Sequence, residues 1–257
     1  MSTDRITPII LAFNEEPNIG RCLSRLEWAA RVVVVDSGST DRTREICRGF
    51  PNVEFVVRPF DSHAAQSNFA LAQVATDWVL SLDADYIVPA AFPDELGVLR
   101  EVDDVTGARA RFQYCVFGRP LRGTLYPPRT VLYRKKYAEY FQDGHTQRVR
   151  VSGKIVDLPT PFDHDDRKSL SRWLASQDSY AKLEADKLLA SDRLPLRDRL
   201  RRAAWPAPLL VLAACLVGKR LLFDGLPGWY YTVQRVIAEF LLAAELIDRR
   251  LRPPARP

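Results

Sequence analysis

Four short apolar runs, each followed by a polar loop and a helix-forming stretch, dominate the first third of the chain. Pro8-Ile9-Ile10-Leu11-Ala12-Phe13 predicts a strand, with a helix over 18–26. Val32-Val33-Val34-Val35 predicts a second, followed by a helix over 40–50 capped by Ser39 or Thr40. Residues 53–57 and 78–82 predict two more, separated by a helix over 64–74. Strands apolar throughout, rather than alternating, belong to a parallel sheet covered on both faces by helices. Such a sheet binds ligands beyond the carboxyl ends of its strands, so the polar residues just after each strand are the ones to inspect.

The pattern changes after residue 106. Residues 108–117, 130–133 and 147–151 read as strands of a mixed sheet with Pro and Gly turns, which would form a second half of the domain. Residues 169–189 then read as an amphipathic helix, with Leu170, Trp173, Leu174, Gln177, Tyr180, Ala181 and Leu188 along one face. The expected organisation is an α/β domain over 1–168 and a helical extension over 169–257. Cys22, Cys47, Cys115 and Cys215 have no paired spacing, so neither a zinc site nor a disulfide framework is indicated. The chain runs from Met1 straight into a strand without a signal-peptide pattern, which points to cytoplasmic residence.

The loop after the first strand holds Asn14, Glu15 and Glu16; that after the second is Asp36-Ser37-Gly38-Ser39-Thr40-Asp41. Gly38 permits a sharp turn, and Asp36 at the sheet edge can accept hydrogen bonds from a base or ribose. Equally, Asp36 and Ser39 can serve only the backbone of a turn and helix cap. The fourth strand delivers Asp83-Ala84-Asp85 to the same edge. In extended backbone these two carboxylates point the same way, and a hard cation such as Mg²⁺ or Mn²⁺ could bridge them to a diphosphate. Two solvated loop acids are the alternative.

Taken in order, Ile9-Ile10-Leu11-Ala12-Phe13-Asn14-Glu15-Glu16, Val33-Val34-Val35-Asp36-Ser37-Gly38-Ser39-Thr40-Asp41 and Trp78-Val79-Leu80-Ser81-Leu82-Asp83-Ala84-Asp85 resemble the inverting family 2 glycosyltransferases. The similarity covers roughly residues 6–165, and the subgroup resembled includes lipopolysaccharide-core β-glucosyltransferases. It implies a GT-A fold: an α/β, Rossmann-like, mostly parallel central sheet flanked by helices, here with a C-terminal helical membrane-associating extension. It also implies a UDP-sugar donor, with UDP-glucose favoured, and an Mg or Mn cofactor. Ala12, Asn14 and Glu16 would line the nucleoside pocket, Asp36 would contact uracil, and Gln66 and Asn68 would sit near base or ribose. Asp83 would contact ribose or metal, and Asp85 would be the principal metal ligand.

An inverting transfer needs a base for the acceptor hydroxyl. Tyr140-Phe141-Gln142-Asp143-Gly144-His145-Thr146-Gln147 resembles the family's catalytic loop; Asp143 is its sole carboxylate and the candidate base, with His145 competing. An Asp143-Gly144 turn is the alternative. His164, in Asp163-His164-Asp165-Asp166-Arg167, would complete the metal shell by the same resemblance. Otherwise Asp165 or Asp166 caps the next helix and His164 is a surface residue. Arg119, Arg122 and Arg129 share a loop that could hold an acceptor phosphate or simply face solvent.

Residues 203–218 carry no charge but are shorter than the roughly 20 needed to span a bilayer. Arg201, Arg202, Lys219 and Arg220 flank them on both sides, which favours a re-entrant or interfacial helix with both ends on the cytoplasmic face of the inner membrane. A second apolar helix over 228–247 brings Trp229, Tyr230 and Tyr231, suited to the headgroup zone. The net charge of +5 is concentrated here, between apolar residues, which fits a membrane surface rather than nucleic acid. A helical pair docked on the catalytic domain, or a dimer contact, would use the same residues. The partners expected are thus a nucleotide-sugar donor and a lipid-linked or lipopolysaccharide acceptor. A sugar-nucleotide nucleotidyltransferase fits less well, because a Gly-rich basic loop should follow the first strand where Asn14-Glu15-Glu16 stands. A catalytically inactive membrane-bound scaffold of the same fold is the non-enzymatic reading.

Overall fold

A computed structural model describes residues 3–98, 104–143, 146–191 and 193–252. The elements run β1 (Ile6–Ala12), α1 (Ile19–Leu23), β2 (Val32–Asp36), α2 (Thr43–Arg48), β3 (Val53–Val57), α3 (His63–Ala72), β4 (Trp78–Asp83), β5 (Tyr86–Ile87) and α4 (Phe92–Val98). There follow β6 (Val105–Ala110), β7 (Phe112–Val116), β8 (Arg119–Pro120), β9 (Arg129–Arg134), β10 (Ala138–Asp143), β11 (Thr146–Val151), β12 (Lys154–Asp157) and β13 (Phe162–His164). The helices α5 (Leu170–Ala190), α6 (Leu196–Arg202), α7 (Pro206–Ala213) and α8 (Gly225–Leu251) complete the chain.

The seven-stranded central sheet has the order β12-β6-β9-β4-β1-β2-β3. The pairings of β1 with β2, β1 with β4, β2 with β3 and β12 with β6 are parallel; only β9 runs against its neighbours β4 and β6. Val32 to Val35 are fully buried, as a strand covered on both faces demands. Of the middle-region strands, β9, β6 and β12 extend the sheet begun by β1–β4 rather than forming a separate half, whereas β7 and β11 lie outside it. A smaller sheet, β5-β13-β7-β8, lies beyond it, and β10 pairs with β11.

Two compact units are distinguished. The first takes in residues up to Pro120, then Tyr126–Gln142 and Thr146–Lys168; the second gathers Leu121–Leu125, Asp143 and the residues from Ser169 onward. In the second unit α5 and α8 pack through Ala181, Ala185, Leu188, Leu242 and Leu246. The buried face of α5 includes Trp173, Ala181 and Leu188 as the periodicity implies, but Leu170 and Leu174 are exposed. Arg201 threads this unit between Glu184 (2.7 Å) and Glu239 (3.1 Å). The uncharged run 203–218 becomes α7 and a closing π turn over Ala214–Gly218. Among the described residues no helix is long and apolar enough to cross a membrane.

Candidate active site

The loops after β1 and β2 are stapled together. Three successive N–H groups donate across the gap: Asn14 to Ser39 Oγ (2.6 Å), Glu15 to Thr43 Oγ1 (2.7 Å) and Glu16 to Asp41 Oδ2 (3.1 Å). In return Asn14 Oδ1 accepts from the Thr40 N–H at 2.7 Å, and Glu16 Oε2 from the Arg42 N–H at 3.2 Å. Asn14 takes a left-handed backbone (φ 53°), which asparagine tolerates, and Gly38 does the same at φ 93°. Asp36 is buried, and its Oδ2 accepts from the Gly38 and Ser39 N–H groups (2.9 and 2.8 Å). Its Oδ1 accepts from Ser39 Oγ. The expected helix over 40–50 therefore shortens to Thr43–Arg48 without a Ser39 or Thr40 cap, because those groups hold the β1 loop instead.

Ala12 ends β1 opposite Asp36, and its carbonyl accepts the Ser37 N–H at 2.9 Å. Gln66 is buried with both ends of its amide bonded: Nε2 donates to Ser37 Oγ (3.0 Å) and the Arg58 carbonyl (2.9 Å), while Oε1 accepts from Arg58 (2.7 Å). Asn68 clamps the Tyr140 backbone, donating to its carbonyl at 3.0 Å and accepting from its N–H at 3.1 Å. It also lines a cavity of about 630 Å³ with Asp77, Arg134 and Lys135, at the amino end of β4 and so away from the sheet's ligand edge.

Asp83 is the last residue of β4, facing Leu11 of β1, and is half-buried. The chain then turns, so Asp83-Ala84-Asp85 is not extended to its end: Asp85 sits in the turn and is buried. Asp85 Oδ1 is enclosed and has no hydrogen-bond partner among the described residues. Its Oδ2 lies 3.6 Å from His164 Nε2. The small sheet creates this meeting. His164 of β13 pairs with Tyr86 of β5, one residue after Asp85, and the Asp165 N–H donates to the Asp85 carbonyl at 3.0 Å. The imidazole lies between the rings of Tyr114 and Tyr126, each with its centroid 4.6 Å away, which fixes its plane. His164 is therefore not a surface residue.

Nor do Asp165 and Asp166 cap α5; Ser169 does, accepting from the Arg172 N–H. Asp165 is buried and accepts from Arg21 (2.7 Å), Arg167 (2.8 Å) and the Gly118 N–H (3.0 Å). Asp166 Oδ1 accepts from Asn18 at 2.8 Å, and Lys168 Nζ lies 3.5 Å from it and 2.8 Å from Glu15 Oε1. Sequence reasoning passed over Asn18, Lys168 and the role of Glu15, whose partners lie at the far end of the unit. The loop arginines also separate. Arg129 is largely enclosed over the Tyr126 ring, whereas Arg122 donates to Asp224 within the second unit. There too, Asp143 at the end of β10 forms an ion pair with Lys187 at 2.8 Å. His145 lies outside the described residues.

Burial pushes the Glu15 carboxyl up to about 7, with Asp85 adding to the shift and Lys168 and Asn18 opposing it. Burial likewise holds Asp85 well above the usual carboxylate range; Lys168 opposes this, while Asp166 and Asp83 add to it. Lys168 is held above its ordinary value because Glu15, Asp85 and Asp166 outweigh its desolvation. A carboxyl raised in the folded state stabilises fully below its free value of 4.5, and that contribution is lost as pH rises through about 7. Glu15→Gln is therefore expected to flatten the loss of stability over this window by up to ~3 kcal/mol. Melting temperatures of both proteins across the range check it; parallel profiles would refute it.

The residues fit a hard divalent cation. A carboxylate oxygen enclosed without a partner among the described residues, a fixed imidazole nitrogen beside the same carboxylate, and Asp83 two residues before it are suitable donors. No group of three or more His, Cys, Asp or Glu forms a ready-made cage among the described residues. An Mg²⁺- or Mn²⁺-type site of this kind is completed by substrate phosphates.

The comparisons agree with this architecture. The family model for glycosyl transferase family 2 matches residues 7–154. The lipopolysaccharide core biosynthesis glycosyltransferase LpsC of Rhizobium meliloti (strain 1021) is 26% identical over 95% of this chain and 92% of its own. An uncharacterized glycosyltransferase of Rickettsia bellii (strain RML369-C) is 25% identical over 77% of this chain and 72% of its own. Among solved structures, S. aureus TarS 1–349 in complex with UDP-GlcNAc superposes with a TM-score of 0.52 at 16% identity, over 96% of this chain and 92% of that one. The mostly parallel sheet with its loops at the carboxyl edge is the GT-A arrangement, and the chain belongs to glycosyl transferase family 2.

Proposed function

We propose that the chain transfers a hexosyl residue, with inversion, from a UDP-sugar to a membrane-associated acceptor, a lipopolysaccharide core or lipid-linked glycan. UDP-glucose is the donor to test first. The observation that carries this reading is the buried Asp85 Oδ1, unpartnered among the described residues, beside His164 at the carboxyl end of β4. Support for the acceptor class comes from LpsC, and for a UDP-sugar from the fold shared with TarS. Residues 1–168 would form the catalytic domain and 169–257 the membrane-associating extension.

Asp36 Oδ1 retains a lone pair after accepting from Ser39, enough for one donor of the base. Ala12 would floor the nucleoside pocket. Asn14, Glu16 and Gln66 would act on it by holding its loops, and Asn68 by fixing β10. A cation held by Asp83, Asp85 and His164 would neutralise charge on the departing diphosphate. Asp143 would take the acceptor hydroxyl proton as the new C–O bond forms opposite the breaking bond to the diphosphate, with His145 as the competing base. The deciding experiment incubates the protein with each UDP-sugar, Mn²⁺ and extracted envelope lipid. Transfer of labelled sugar to lipid is expected, and release of pyrophosphate from a nucleoside triphosphate and sugar phosphate would instead favour a nucleotidyltransferase.

Attachment to the cytoplasmic face of the inner membrane is supported by a surface of the second unit. Trp205, Leu209, Leu210, Val217, Phe223 and Leu226 are exposed in and around α7, with Lys219 and Arg220 exposed among them. Apolar side chains flanked by exposed cations suit an interface of anionic lipid, the hydrophobic term holding at high salt and the ionic term lost there. Binding to phosphatidylglycerol vesicles is expected to fall about a hundredfold or more for Trp205→Ser combined with Leu209→Ser, since two lost side-chain burials remove ~3 kcal/mol or more. Unchanged flotation, or a dimer that the same changes dissolve, would remove the membrane reading.

A further inference from the structure

A positive charge already sits where the donor site is expected to gather its cation. Lys168 Nζ is 2.8 Å from Glu15 Oε1 and 3.5 Å from Asp166 Oδ1, within electrostatic reach of Asp85. Its side chain is largely buried, as is that of Glu15, and that of Asp166 is nearly as enclosed. Three carboxylates so close together repel strongly unless cations neutralise them. Among the described residues the Lys168 ammonium is the cation in direct contact with Glu15 and Asp166, while His164 lies 3.6 Å from Asp85 and Arg21 and Arg129 act on Asp85 at longer range. The cluster does not close on itself, however, since Asp85 Oδ1 is enclosed yet has no hydrogen-bond partner among the described residues. Lys168 thus supplies the charge that the pocket needs but not the ligand that Asp85 needs.

We propose that Lys168, held by Glu15 and Asp166, is an internal counter-ion that competes with a divalent cation at the neighbouring Asp85 carboxylate. It stabilises the acidic pocket before the donor arrives and weakens metal binding until a diphosphate brings further negative charge. Addition of two positive charges beside a resident ammonium is disfavoured by repulsion at low dielectric; the oxygens of a diphosphate reverse that balance. Metal and nucleotide then bind together rather than in sequence, and the free enzyme does not hold the cation alone. The inference rests on the metal reading above but concerns a residue which that reading does not use.

The test is Mn²⁺ binding to the nucleotide-free protein, followed by loss of the free-ion paramagnetic resonance signal. Lys168→Met, close in shape and uncharged, is expected to bind Mn²⁺ at least tenfold more tightly than the wild type. It should also lose most of the enhancement that UDP gives the wild type. Lys168→Arg, which keeps the charge, is expected to stay near the wild-type affinity. Combining Lys168→Met with Asp85→Asn should abolish the gain; a gain that survives would place the ion elsewhere and overturn the proposal. Equal or weaker binding by Lys168→Met would also overturn it. Should Lys168→Met fail to fold, the wild type decides. Saturating Mn²⁺ with UDP is expected to speed acetylation of Lys168, read by mass spectrometry, and an unchanged rate counts against the proposal. Absence of Mn²⁺ binding by the wild type even with UDP would sink the metal reading itself, which separates the two failures.

Discussion

Asp85→Asn is expected to lower the sugar-transfer rate by about 10³-fold or more while raising the melting temperature of the nucleotide-free protein. The two effects have one cause. Asp85 is buried, and burial opposes its ionised form strongly enough to lift its pKa well above that of a free carboxyl. Its Oδ1 recovers none of this through a hydrogen bond among the described residues. A group that destabilises the empty protein, and on the proposed reading would anchor a cation, is the pattern expected of a functional residue rather than a structural one. Asparagine keeps the volume and the turn but removes the charge, so the fold gains what the site loses. Stability and steady-state kinetics on one preparation read both sides. A variant that is less stable and fully active would show that Asp85 belongs to the fold and not to the chemistry.

The sequence exposed the sheet because its central strands are apolar on both faces: Val32 to Val35 admit no other reading. It exposed the ligand edge because Asn14, Asp36 and Asp83 each follow directly on such a run. The size of the β1 and β2 loops was less legible. Ser39 and Thr40 have the chemistry of helix caps, yet Ser39 accepts from the Asn14 N–H and the Thr40 N–H donates to Asn14. That choice depends on two loops meeting, which local propensity does not report. The acid cluster was harder still. Asn18 and Asp166 bond across 148 positions, and the same loop brings Lys168 to Glu15. No period or spacing marks a pair so remote. His164 could be proposed only by resemblance. Its place follows from the register of β13 against β5, two strands too short to stand out in the sequence.

Asp143→Asn should cost about 10²–10⁴-fold in kcat, with little change in the affinity for UDP. Asp143 ends β10 and is held by Lys187 at 2.8 Å, a pairing that keeps its side chain in one place. A base must be charged when the acceptor hydroxyl arrives, and asparagine of the same size cannot take a proton. Nucleotide binding does not require that proton, so kcat and UDP affinity should separate, as they would not if the change merely loosened the loop. Lys187→Met then supplies the finer reading. Removing the partner should lower kcat less than removing Asp143 itself, because the carboxylate stays but is no longer fixed. Measured beside these, His145→Asn identifies the base: if it carries the large loss and Asp143→Asn retains near-normal turnover, the proton goes to the imidazole and the Asp143–Lys187 pair is only a brace within the second unit.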